Sequence, residues 1–153
     1  MRSPPLKHDL DHPAVDNRIA LLTIGFFEKD HILLGYIFRE SNWTLRGVRT
    51  YREATVLLRE NPPPVVVICE RDFADGNWKD ILGALTLLAQ PPPLIVTSRL
   101  ADECLWAEVL NLGGRDVLAK PLDEKEVLWA VSSAWRNSER QCEKTKRVQK
   151  AIA

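Results

Sequence analysis

Cysteine is scarce in this chain, and the three present, Cys69, Cys104 and Cys142, stand at no metal-ligand spacing. An odd number so placed gives no disulfide framework and fits a reducing cytoplasm. The three histidines, His8, His12 and His31, also lack partners at ligand spacing, which leaves zinc and histidine acid–base chemistry without support. Nowhere do about eighteen apolar residues stand together, and residues 1–17 carry prolines and charges where a signal peptide needs an apolar run. Neither export nor a membrane span is expected. Net charge is missing as well: 21 Lys and Arg balance 21 Asp and Glu, so no overall field draws the chain to nucleic acid or to an acidic membrane. The glycine pattern of a nucleotide loop is absent, since Gly113-Gly114 reads as a helix stop and Asp75-Gly76 as a turn.

What is present is a 45% hydrophobic chain of 153 residues, one domain's worth, arranged as strand and helix in alternation. Residues 1–17 are set aside as a flexible or irregularly packed arm, residues 18–136 are expected to form the domain, and residues 137–153 a C-terminal helical extension that frays, or a tail. The run from Ile19 through Phe27 predicts a buried strand, followed by a polar turn at Glu28-Lys29-Asp30 and a helix carrying Ile32, Leu33, Tyr36 and Ile37. A weaker strand spans Trp43 to Val48, and the next helix, from Tyr51, ends at the triple proline 62–64 because proline lacks the backbone donor. Val65 to Cys69 is apolar without alternation, the signature of a central strand covered on both faces. A polar loop from Glu70 to Asn77 leads to a helix ending near Gln90. A second triple proline precedes the strand Leu94–Thr97; then come a helix from Asp102 to Leu112, a strand Asp116–Ala119 and a last helix opening at Asp123. Alternation with short connections implies right-handed crossovers and a five-stranded parallel sheet between helices, with function at the carboxyl ends of the strands. Those ends fall near Gly25, Glu70, Ser98 and Lys120.

Residues 19–135 resemble the receiver domain of two-component response regulators, and the most specific part is the carboxyl third. There a strand ends at Ser98, a Gly-x-x-Asp stretch runs from Gly113 to Asp116, and Lys120-Pro121 follows the fifth strand. The resemblance implies a flavodoxin-like three-layer α/β sandwich with strand order 2-1-3-4-5. It implies further that Lys120 touches a phosphoryl group, that the Lys120–Pro121 bond is cis, and that the Ser98 hydroxyl follows the phosphate. The aromatic switch position falls on Val117. The amino half departs from the pattern. Gly25 and Phe26 occupy the place of the acidic pair that helps hold Mg²⁺, and Glu70 occupies that of the phosphoaccepting aspartate. Glutamate is one methylene longer, which moves its oxygen away from in-line geometry. Beside Lys120 and Ser98 it can instead make a charge-assisted hydrogen bond without metal and imitate the phosphorylated form in part.

The expectation is therefore a degenerate receiver without catalytic turnover or cofactor. It would act through a protein partner or a second copy at the face of the fourth helix, fifth strand and fifth helix, where Trp106, Leu110 and Trp129 are candidate contacts. One alternative is an active phosphoacceptor taking a phosphoryl group from a histidine kinase, with Glu28 or Asp30 as Mg²⁺ ligands. That register shortens the first helix by about a turn and leaves Lys29 intruding. Asp72, Asp75 and Asp80 read as a solvated loop and helix start. Another alternative is nucleic-acid binding through the tail, whose Lys144, Lys146, Arg147 and Lys150 otherwise read as solvated charge; its apolar residues are too sparse for a coiled-coil seam.

Overall fold

The computed structural model describes residues 19–60 and 62–152. His8 and His12 lie outside the described residues, as does the arm. Five parallel strands form one sheet in the order 2-1-3-4-5: β1 (Ile19–Ile24), β2 (Trp43–Val48), β3 (Val66–Glu70), β4 (Leu94–Ser98) and β5 (Asp116–Ala119). The helices between and after them are α1 (Glu28–Ile37), α2 (Tyr51–Leu58), α3 (Trp78–Thr86), α4 (Glu103–Leu112) and α5 (Glu124–Ile152). This is the flavodoxin-like arrangement that the resemblance implied, built on the parallel sheet that the alternation implied.

The unbroken apolar run of β3 has a simple cause. Side chains alternate across a strand, so Val67 and Cys69 enter one core with Ile81, Leu85, Leu105 and Val109, under α3 and α4. Val66 and Ile68 enter the other, with Leu34, Val127 and Val131, under α1 and α5. Both faces demand apolar residues, and none of these four strand residues is exposed.

Helix ends follow from local chemistry. Thr50 caps α2 by accepting from the Glu53 N–H, and Asn77 and Asp80 form a reciprocal capping box at the start of α3. Asp102 caps α4, which ends at Gly113 in the left-handed region (φ 110°). Within the connection after β3, Asp72–Phe73 pairs with Gly76–Asn77 in a short antiparallel hairpin. Asp75 at its tip accepts from the Tyr51 and Arg52 N–H groups at 2.6 and 3.3 Å, so it tethers this hairpin to the positive end of α2 rather than standing only in solvent.

Two boundaries differ from expectation. Helix α3 stops at Thr86, short of Gln90, because the Leu87 and Leu88 N–H groups bond to Ala84 and Leu85 three residues back and tighten the turn. The chain after Trp135 does not fray: α5 is one helix of 29 residues, roughly 43 Å at 1.5 Å per residue. Its final third is rich in Glu, Lys, Arg, Gln and Ala, which lose little on becoming helical. None of the described helices is long and apolar enough to cross a membrane. The core-facing residues of α5 end at Ala134, with Trp135 packed edge-on against Trp43 at 6.0 Å. Ending the chain after Ser138 is therefore expected to change unfolding free energy by less than about 1 kcal/mol. Urea denaturation checks this, and a larger loss would show that the last turns support the domain.

Candidate functional site

The carboxyl ends of β1, β3, β4 and β5 converge on Lys120. Its backbone N–H bonds to the Ser98 carbonyl at 3.0 Å, extending the pairing of β4 with β5 by one residue. This bond fixes where the side chain begins, and its ammonium then crosses to the end of β3. There it donates to Glu70 Oε1 and, at 2.6 Å, to Asp30 Oδ2 on the first turn of α1. The Phe26 ring lies 5.1 Å from the same nitrogen, within cation–π range. The Lys120 side chain is 9% exposed and that of Glu70 14%, so this ion pair is shielded from most of the solvent. The second Glu70 oxygen, Oε2, accepts from the Thr97 hydroxyl at 2.6 Å. Both oxygens of Glu70 are thus engaged by donors of its own chain.

The hydroxyl facing Glu70 belongs to Thr97 and not to Ser98, which corrects the reading from sequence. Strand register decides it: Glu70 stands beside Thr97 in the β3–β4 pairing, so their side chains share a face, whereas the next residue points away. Ser98 Oγ instead accepts from the Leu100 N–H at 3.1 Å and holds the turn toward α4. The Lys120–Pro121 peptide is cis, as the resemblance implied. Val117 is buried with Leu105 and Val109, so no aromatic ring occupies the position of the switch residue.

Gly25 and Phe26 have the backbone and packing of residues that carry no acid. Gly25 has φ +83°, and a Cβ there would lie 2.9 Å from the Phe73 Cβ and 3.2 Å from the Glu70 Cβ. A side chain at 25 would be both strained and obstructed, because the hairpin brings Phe73 over it. Phe26 is buried beneath Lys120. The carboxylates that do reach the pocket are those of Glu70 and Asp30, and Lys120 lies between them; Lys29 and Glu28 stay exposed. Among the described residues no three His, Cys, Asp or Glu side chains are grouped to hold a metal ion. The Mg²⁺ expected of a phosphoaccepting pocket needs several oxygen ligands around one point, and that point is here occupied by an ammonium. The residues present do not fit the ion.

Beneath the pocket, the buried Cys69 thiol donates to the Glu70 carbonyl at 3.0 Å. Burial, reinforced by the nearby carboxylates of Glu70 and Asp72, pushes it well above the ordinary thiol range, so it stays protonated and unreactive. Away from the pocket, Trp106 (49% exposed), Leu110 (38%) and Trp129 (65%) are open on α4 and α5. Sequence reasoning missed Thr97 as the partner of Glu70, and connected Asp30 only with a metal. The spacing of Thr97 from the strand end, one residue before Ser98, was the available signal.

The two hydroxyls make unequal contributions to stability. Thr97→Val removes a bond to a carboxylate and should cost roughly 1.5–3 kcal/mol, while Ser98→Ala should cost about 1 kcal/mol or less. Chemical denaturation of both variants checks the assignment, and the reverse ranking would contradict it.

No protein-family model matches the sequence, and no curated protein matches it. Solved structures do. The signal receiver domain of an HD domain-containing protein from Pseudomonas fluorescens is similar at 22% identity and a TM-score of 0.72, over 81% of this chain and 99% of that one. The receiver domain of the Francisella response regulator 1452 is similar at 20% identity and 0.71, over 79% and 99%. The non-phosphorylated HemR receiver domain from Leptospira biflexa is similar at 19% identity and 0.68, over 77% and 94%. With the strand order, the cis Lys120–Pro121 bond and these likenesses together, the chain has the fold of response regulator receiver domains.

Proposed function

We propose that this chain is a receiver-type signalling module that works by protein contact and accepts no phosphoryl group. The observation that carries the reading is the state of Glu70: Lys120 holds one of its oxygens and Thr97 the other. Phosphoryl transfer to a carboxylate needs a free oxygen in line with the donor and a divalent ion to neutralise the moving charge. Glu70 offers no free oxygen, and the side chains of residues 25 and 26 offer no ligand for the ion.

The same contacts suggest what the pocket does instead. In the resemblance, the lysine after the fifth strand and the hydroxyl at the end of the fourth are the groups that meet a bound phosphoryl. Here Glu70 meets that lysine and, in place of Ser98, the Thr97 hydroxyl one residue earlier, with one negative charge and two oxygens in place of roughly two charges and three oxygens. The imitation is partial, and it is permanent. Such a module has no switch in this pocket, so its output is a surface held in one conformation. The face of α4, β5 and α5 is the proposed contact surface, where Trp106, Leu110 and Trp129 supply exposed apolar area of the kind that anchors a protein partner or a second copy. The reading needs no cofactor and no catalysis.

Treatment with acetyl phosphate and Mg²⁺, followed by intact-mass measurement, is expected to leave the protein unmodified. A hydroxylamine-sensitive phosphoryl adduct mapped to Glu70 would contradict the proposal and favour a phosphorelay fed by a histidine kinase.

A further inference from the structure

A second feature lies at the opposite end of the sheet. The loop entering β4, the start of β5 and the middle of α5 enclose a groove of about 400 Å³, whose walls include Pro93, Arg115, Asn137, Ser138, Arg140 and Lys144. No carboxylate lines it. Some long cations elsewhere are paired, Arg46 with Glu60, Lys79 with Glu108 and Lys120 with two acids, while others such as Arg59 and Arg99 have no such partner among the described residues. The side chains of Arg115, Arg140 and Lys144 have no ion-pair or hydrogen-bond partner among the described residues.

The groove also continues into a row of charge. Arg136, Arg140, Lys144 and Arg147 follow one another at spacings of four, four and three, so they share one side of α5 over roughly 16 Å. Residues 136–150 hold six cations against Glu139 and Glu143, which follow Arg136 and Arg140 by three residues and so border the same row. In a chain whose total charge is zero, this is a marked separation of sign.

We infer that Arg115 and the Arg136–Arg147 row of α5 form a binding surface for the phosphodiester backbone of duplex nucleic acid. Two features favour this ligand over an acidic peptide. The charges are strung along an exposed helix at about one per turn, as a linear polyanion requires, and three of the four in the row are guanidinium groups, whose planar fork matches phosphate oxygens. No aromatic residue lines the groove for stacking on bases, so the contact is with phosphates and carries no sequence preference. The surface is separate from the Glu70 pocket and does not depend on what that pocket does.

Fluorescence anisotropy of a short labelled duplex of arbitrary sequence, titrated with the full chain, tests the inference. At about 50 mM salt the duplex is expected to bind, with affinity falling at least tenfold by about 200 mM. The triple variant Arg115→Ala, Arg140→Ala, Lys144→Ala should bind at least tenfold more weakly and lower the salt slope by about 3, while Lys125→Ala binds as the parent does. An unchanged melting temperature shows that the triple variant is folded. Absence of duplex binding at low salt, or equal binding by the triple variant, overturns the inference. Binding of polyglutamate with none of the duplex also overturns it, and would mark the groove as a site for an acidic protein segment.

Discussion

One ammonium group organises the carboxyl end of this sheet. Lys120 reaches from the end of β5 to Glu70 at the end of β3 and to Asp30 at the start of α1, and so ties together three elements far apart in sequence. Two carboxylates brought this close would repel each other if left alone, and burying either without a cation would be costly. The lysine removes both penalties at once. In the proposed function it also sets the chemistry of the pocket, as a cation supplied by the chain bonded to both carboxylates.

The rest of the pocket is built around that choice. Thr97 takes the remaining oxygen of Glu70, Phe26 turns an aromatic face to the ammonium, and Phe73 closes the space over Gly25. On the proposed reading, each of these contacts suits a pocket that holds no hydrated ion. The lower effective dielectric there strengthens the bonds that exist and raises the cost of breaking them, which favours a single arrangement. That is the physical basis for reading the domain as a constant surface and not as a switch.

Much of the architecture was legible from the chain alone. The apolar runs of β3 and β4, each preceded by a triple proline, could hardly be anything but central strands, and the Lys120-Pro121 pair located the end of the fifth. At positions 25, 26 and 70 the departure from the receiver pattern is read from residue type alone. Less legible was anything that depended on which way a side chain turns. Thr97 and Ser98 are adjacent hydroxyls, and only the register with β3 shows which one faces Glu70. Asp30 lies ninety residues from Lys120, and no local pattern announces a pair formed across the sheet. The persistence of α5 past Trp135 was underestimated for a related reason: hydrophobic periodicity, the usual guide to a helix, is absent there, and the helix rests on intrinsic propensity.

The central claim is that the lysine ammonium excludes a divalent ion from between the two carboxylates. Crystals of the protein soaked with Mg²⁺ and beryllofluoride test it most directly. The account predicts Lys120 Nζ still bonded to Glu70 and Asp30, with no ion and no fluoride adduct between them. An octahedral cation on Asp30 and Glu70, with the lysine displaced onto a beryllofluoride group, would contradict it.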